Sequence, residues 1–175
     1  MPALIRAMAA ALLLFSAAGC GGGQKEQKTL DTRPLEESRA FEIISQMMQE
    51  RGFKAVRDVQ IELSNQVRFP CDLRAEGQAF CIEYLTDRDR LDIGMVPPPA
   101  VGSRLHVLSA RTISDDPSVA IEPIYVFFID DRKFVYQYNP TSDNRADITY
   151  QEVESRLRRD VSDFLSWYDS YRVKK

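Results

Sequence analysis

The chain has 175 residues, enough for one domain of ordinary size, with 44% apolar and 28% charged residues. Those fractions belong to a globular chain and exclude a disordered segment or a multi-span membrane protein. The 23 Lys and Arg against 26 Asp and Glu leave a net charge of −3, the wrong sign for a dedicated nucleic-acid binder, and a single His with three Cys is too little for a metal centre built on those ligands.

Arg6 precedes an uncharged run from Ala7 to Ala18. As a helix that run spans about 18 Å, short of the ~30 Å hydrocarbon core, so it reads as the apolar stretch of a signal peptide and not as an anchor. It leads into Ala17-Ala18-Gly19-Cys20, which resembles the lipobox of bacterial lipoproteins, with Ala17 where that family most often has Leu. The resemblance covers the leader alone. It implies cleavage before Cys20 and acylation of Cys20, an anchor stronger than the two lipid signals that stable attachment needs. Gly21 and Gly22 stand where enterobacterial lipoproteins kept in the inner membrane carry Asp, so the likeness implies the outer membrane, on its periplasmic side in preference to the cell surface. The expected division is residues 1–19 as signal peptide, 20–33 as lipidated Cys and flexible tether, and 34–175 as one domain. The Gly run suits a tether, roughly 20 Å long as a coil.

The spacing of Leu35, Ala40, Ile43, Ile44, Met47 and Met48 predicts a helix over 34–51, with Asp31 or Thr32 as cap, Pro34 in the first turn and Gly52 as the stop. Strands are expected around Val56–Leu63, Val67–Leu73, Ala79–Thr86, Arg104–Ile113 and Ile121–Ile129, the last so apolar that it reads as buried on both faces. A sixth follows the turn Asp130-Asp131-Arg132, from Lys133 to Asn139. Residues 87–102 read as a long, stiff connection with alternating charges and Pro97-Pro98-Pro99, and Asp143–Asp147 as a solvated turn. A last helix begins at a capping box, Thr149 to Glu152, and carries Tyr150, Val153, Leu157, Val161, Phe164, Tyr168 and Tyr171 as one stripe. Helix, strands, helix points to an α+β fold: an antiparallel or mixed sheet of about five to six strands flanked by an N-terminal and a C-terminal helix.

Cys71 and Cys81 lie on either side of Ala75-Glu76-Gly77, which fits a three-residue hairpin loop with Gly in the left-handed position. That loop sets Cys71 opposite Cys81, close enough for a disulfide. With Cys20 lipidated, an exported chain leaves these two to pair. Two free thiols or a redox couple are the alternatives, although the spacing is far from Cys-x-x-Cys.

Pro70-Cys71-Asp72 and Glu83-Tyr84-Leu85 resemble the PD-(D/E)xK motif of metal-dependent nucleases, where the acids hold Mg²⁺ and a Lys orients water. Leu85 replaces that Lys, and the expected hairpin register puts Asp72 and Glu83 on opposite faces. His106, the lone His, has no nucleophile motif beside it and reads as structural. No catalytic or metal-binding residue and no cofactor is therefore expected. The expected function is that of an outer-membrane lipoprotein whose non-catalytic domain binds another envelope protein as an accessory or assembly component. Its candidate surfaces are Trp167 at the edge of the last helix, Pro97, Pro98 and Pro99, and Arg88 and Arg90. The alternative is an envelope enzyme or small-ligand binder centred on Asp72, Glu83 and His106, on a degenerate PD-(D/E)xK-like fold.

Overall fold

The computed structural model describes residues 31–94, 96–114, 120–138 and 145–173. They form β1 (Asp31–Pro34), α1 (Glu37–Glu50), β2 (Ala55–Val56), β3 (Val59–Leu63), β4 (Arg68–Cys71), β5 (Leu73–Ala75), β6 (Phe80–Leu85), α2 (Asp87–Ile93), β7 (Val107–Thr112), β8 (Pro123–Asp130), a 3-10 turn (Asp131–Lys133), β9 (Val135–Tyr138) and α3 (Arg145–Val173). The expected signal peptide and Cys20, with most of the tether, lie outside the described residues.

The α+β class holds, with three helices and seven strands in the main sheet, in the order β2-β5-β6-β8-β7-β3-β4. Two expected strands are each broken in two, which raises the count. Asp58 sits at φ 57° between β2 and β3, a left-handed conformation that Asp tolerates better than most residues. Asp72 interrupts β4 and β5. Both halves of this hairpin therefore turn a corner: β5 pairs with β6 while β3 pairs with β7, so the sheet curls back on itself. β8 lies between β6 and β7, parallel to the first and antiparallel to the second, as its unbroken apolar run requires of a central strand.

One sheet face carries Phe80, Ile82 and Phe127 against Ile44 and Met48 of α1 and Leu157 and Phe164 of α3. Phe127 and Phe164 stack with ring centres 4.6 Å apart, within the range of favourable offset aromatic pairs. The inside of the curl holds Ile61, Phe69, Cys71, Cys81, Val126 and Phe128, closed over by Ile93 of α2. In α3 the expected stripe is the buried one, with Val153, Leu157, Val161 and Phe164 all at 0% exposure.

Several expected boundaries move. The first helix is not the first element, since residues 31–34 pair with β9 in a separate two-stranded sheet. Pro34 restrains Arg33 to extended backbone, and Leu35 N–H then donates to Phe134 O at 2.8 Å. Asp31 and Thr32 are thus strand residues, and α1 starts after Glu36 without a side-chain cap. Its end is as expected: Gly52 has φ 79° and Phe53 N–H returns to Met48 O at 2.9 Å, a left-handed stop. The charge-alternating segment is α2, started by a capping box in which Asp89 N–H and the Thr86 side chain, and Thr86 N–H and the Asp89 side chain, bond reciprocally. α3 begins at Arg145, so Thr149 lies within it and does not mark its start, and residues 145–147 are helical where a turn was expected.

Candidate functional site

Cys71 and Cys81 are disulfide-bonded, with Cα atoms 6.5 Å apart, but the hairpin that was expected to bring them together has another register. β5 and β6 pair Leu73 with Ile82 and Arg74 with Cys81, which leaves a four-residue loop at 76–79. Gly77 keeps its left-handed turn at φ 69°. Cys71 itself sits opposite Val59 on β3. The bond therefore links two strands that are not neighbours in the sheet and closes the curl, where a hairpin staple was expected.

The same three-residue shift flips parity, because successive strand residues point to opposite faces. Continuing the observed register by one residue sets Asp72 opposite Glu83, so these acids converge and the expected opposite-face arrangement is corrected. Asp72 N–H donates to Glu83 Oε2 at 3.1 Å, and Tyr84 N–H donates to Asp72 Oδ2 at 2.8 Å. At Asp72 the strand leaves β6 and the ladder would lose its rungs. Two carboxylates supply the missing acceptors, which a buried backbone N–H requires.

Glu83 is 2% exposed. Burial is the largest cause pushing both carboxyls well above the ordinary carboxylate range; the negative charge of Asp72 adds to the rise at Glu83, and those of Asp89 and Glu37 push both in the same direction. The bonds from backbone N–H oppose the rise for both, and Arg57 opposes it for Asp72. The pair holds a proton at neutral pH, since two buried carboxylates side by side disfavour double ionisation.

His106 does not join them. Its Nε2 lies 2.7 Å from Pro97 O, its ring packs 5.1 Å from that of Phe128, and burial lowers its pKa. The neutral ring thus ties the proline segment to β8. Leu85 is buried, so the position where the nuclease motif has Lys faces apolar surroundings. Among the described residues, no group of three or more His, Cys, Asp and Glu is placed to hold a metal ion.

The candidate interaction residues differ in availability. Pro98 and Pro99 are exposed and Pro97 is half-buried. Arg88 is solvent-facing, with Asp92 3.9 Å away. Arg90 is not a free surface cation: it bonds Leu85 O at 3.0 Å, Asp87 at 2.8 Å, and both Asp130 and Asp131, fastening α2 to the end of β8. Arg90→Ala leaves Asp131, 7% exposed, beside Asp130 without its cation. We expect a loss of about 2 kcal/mol in a urea melt, where Arg88→Ala is neutral.

Trp167 is half-buried in an aromatic cluster, with Phe164 at 5.8 Å, Tyr171 at 5.7 Å and Tyr125 edge-on at 5.6 Å. Its rim opens onto a hollow of about 210 Å³ that also takes in Leu105, Val107, Ser103 and Ser109. Tyr171 was expected only as part of the apolar stripe of the last helix, four residues from Trp167, and Tyr125, on β8, was not singled out from sequence. A second missed group is Glu62, 4% exposed, which accepts from Arg68 at 2.6 Å and from Arg111 at 2.9 Å. Strand alternation pairs the three residues across β4, β3 and β7, and both arginines hold the carboxyl below its usual pKa. An acid between Ile61 and Leu63 is the only sequence signal for it.

No helix among the described residues is long and apolar enough to cross a membrane. The chain matches no protein-family model, curated protein or solved structure.

Proposed function

We propose that this chain is an outer-membrane lipoprotein, anchored through acylated Cys20, whose domain binds another envelope protein on the periplasmic side as an accessory or assembly component. The observation that carries the non-catalytic reading is the commitment of Asp72 and Glu83 to backbone N–H groups at the strand corner. A general base or nucleophile must be within reach of substrate; here one oxygen of each carboxylate mends the sheet and Glu83 is buried. The exposed Pro98 and Pro99, Arg88 and the Trp167 rim are the surfaces offered to a partner.

Two measurements test this. Intact mass after extraction from native membranes should fit cleavage before Cys20 plus acyl chains, and a full-length or unacylated mass removes the anchor. Crosslinking in intact cells, followed by affinity capture, should yield one stoichiometric envelope protein. Its loss on Trp167→Ala or on replacing Pro97–Pro99 with Ser would locate the surface, and repeated capture of the chain alone refutes the reading.

A second reading, a degenerate relative of the PD-(D/E)xK nucleases, is favoured by one observation: Asp72 and Glu83 do meet across neighbouring strands. The residues do not fit that family's divalent cation. Burial raises the pKa of both carboxyls and the pair keeps a proton, one oxygen of each already accepts from an N–H, and Leu85 offers no Lys. Mg²⁺ should leave the melting temperature unchanged, and a metal-dependent rise would revive this reading.

A further inference from the structure

We propose that the end of the domain formed by α2, the 3-10 turn and the β1–β9 ribbon lies against the lipid bilayer, with Leu91 and Val135 entering its interfacial layer. This deepens the function proposed above and rests on its anchor at Cys20. Three connections gather these elements at one end. β1 pairs with β9, Pro34 opposite Val135, and Leu35 N–H donates to Phe134 O at the close of the 3-10 turn. α2 follows β6, whose last residue Leu85 stands beside Asp130 of parallel β8. Arg90 then ties α2 to Asp130 and Asp131, and Arg132 reaches back to Asp87 at 2.8 Å.

The place where the chain enters the fold selects the bilayer as the occupant of this end. Asp31, the first residue of β1, comes 11 residues after Cys20. That length reaches about 40 Å at full stretch and roughly 20 Å as a coil. A domain of this size is about 35 Å across. Turning its far end to the bilayer would therefore stretch the span close to its limit, at the cost of nearly all its conformational freedom. The end that carries β1 meets the surface with the span still a coil.

The surface there suits an interface. Leu91 is 84% and Val135 39% exposed, and the basic side chains around them, Arg33, Arg88, Arg132 and Lys133, reach into solvent. Asp31, Asp92 and Asp87 each lie within 4 Å of one of the three arginines, so no dense field of one sign repels lipid phosphates. Long basic side chains can rest among headgroups while aliphatic ones sink between them. Two aliphatic side chains would not capture a free domain. The anchor already holds this one at the surface, so they need only decide which face turns down. Arg88 thus belongs to the membrane side. Trp167 packs on Tyr125, near the start of β8, so its rim is left at the other end for a protein partner.

Trp167 is the only tryptophan of the chain, so a Trp167→Phe background accepts a single reporter elsewhere. The full acylated chain is placed in vesicles of phosphatidylethanolamine and phosphatidylglycerol whose acyl chains carry bromine, at the depth of about 5–10 Å that interfacial side chains reach. Leu91→Trp and Val135→Trp should be quenched. Ile121→Trp, 63% exposed and just ahead of β8 at the far end, should not. Adding Leu91→Asp to Val135→Trp should cut its quenching about threefold, and Leu91→Asp alone should leave the melting temperature unchanged, which separates lost contact with lipid from a lost fold. Equal quenching at all three positions means that the domain tumbles on its tether, and quenching at 121 alone means that it sits the other way up. Either result overturns the inference, as does quenching at 135 that Leu91→Asp leaves unaltered. No quenching at 91 or 135 in protein that floats with the vesicles overturns it and leaves the anchor standing. Protein that fails to float removes the anchor, and this inference with it.

Discussion

Replacing Cys71 and Cys81 together with Ala will cost the fold about 3 kcal/mol, the loop-closure entropy of an 11-residue ring. For a domain of this size that is about a 10 °C fall in melting temperature. Alanine is the appropriate test, because both sulfurs are completely buried and a serine hydroxyl would add an unsatisfied polar group of its own. The effect exceeds that of an ordinary hairpin staple in one respect. Cys71 belongs to β4 and Cys81 to β6, so breaking the bond releases the curl as well as a loop. Native protein should therefore resist reductant, and unfolded protein should take up two alkyl groups only after reduction. Alkylation of either Cys without reductant would show the bond to be absent.

The second large effect is on the pH dependence of stability. The pKa of the Asp72–Glu83 pair is raised in the folded protein, so the native state keeps a proton that the unfolded chain has already lost. The unfolded carboxyls titrate near 4. Stability is accordingly full below that pH and falls as the pH climbs from there towards the raised folded values. One retained proton is worth about 1.4 kcal/mol per pH unit, so the loss between pH 5.5 and 7.5 is roughly 3 kcal/mol. Glu83→Gln keeps an oxygen for Asp72 N–H and removes one of the two charges. Urea melts of this variant should show a shallower profile across the same range, the remaining slope coming from buried Asp72, and a protein more stable than wild type at pH 7.5. A variant as steep as wild type, or less stable at every pH, would mean that the proton is held elsewhere. Glu62 acts in the opposite sense: its arginines lower its pKa, and its stabilisation is lost only as the pH falls through the acidic range.

How much of this was legible in the sequence depends on the range of the forces involved. The stripe on α3 and the stop at Gly52 come from local periodicity and backbone sterics, and both are where the residues put them. The disulfide was found through compartment and cysteine count, while the register invoked for it was wrong by three residues. A tight loop at Gly77 is the local optimum. What displaces it is the bend at Asp72, imposed by β3 pairing with β7 far along the chain. That single displacement hid the meeting of Asp72 with Glu83 and the parallel pairing of β6 with β8. The box from Thr86 to Asp89 was readable and was masked by alternating charge. Pro34 was read for its fitness at a helix start, when its constraint on Arg33 decides the matter. Trp167 was identified, and Phe164 and Tyr171 flank it at helical spacing, but Tyr125 comes from β8, and no spacing in one helix could supply it.

The two corners in the hairpin also set a timetable. Residues 55–75 can pair with one another within about ten microseconds, yet neither arm then has its final neighbour. Ile61 waits for Thr112 of β7, and β6, on which β5 closes, is fixed in place by β8. Assembly governed by such distant pairings runs on the scale of milliseconds to seconds. Through that interval Asp72 and Glu83 stand in water and ionised. Closure of the curl and uptake of the proton are therefore one event, and at alkaline pH the last step of folding slows.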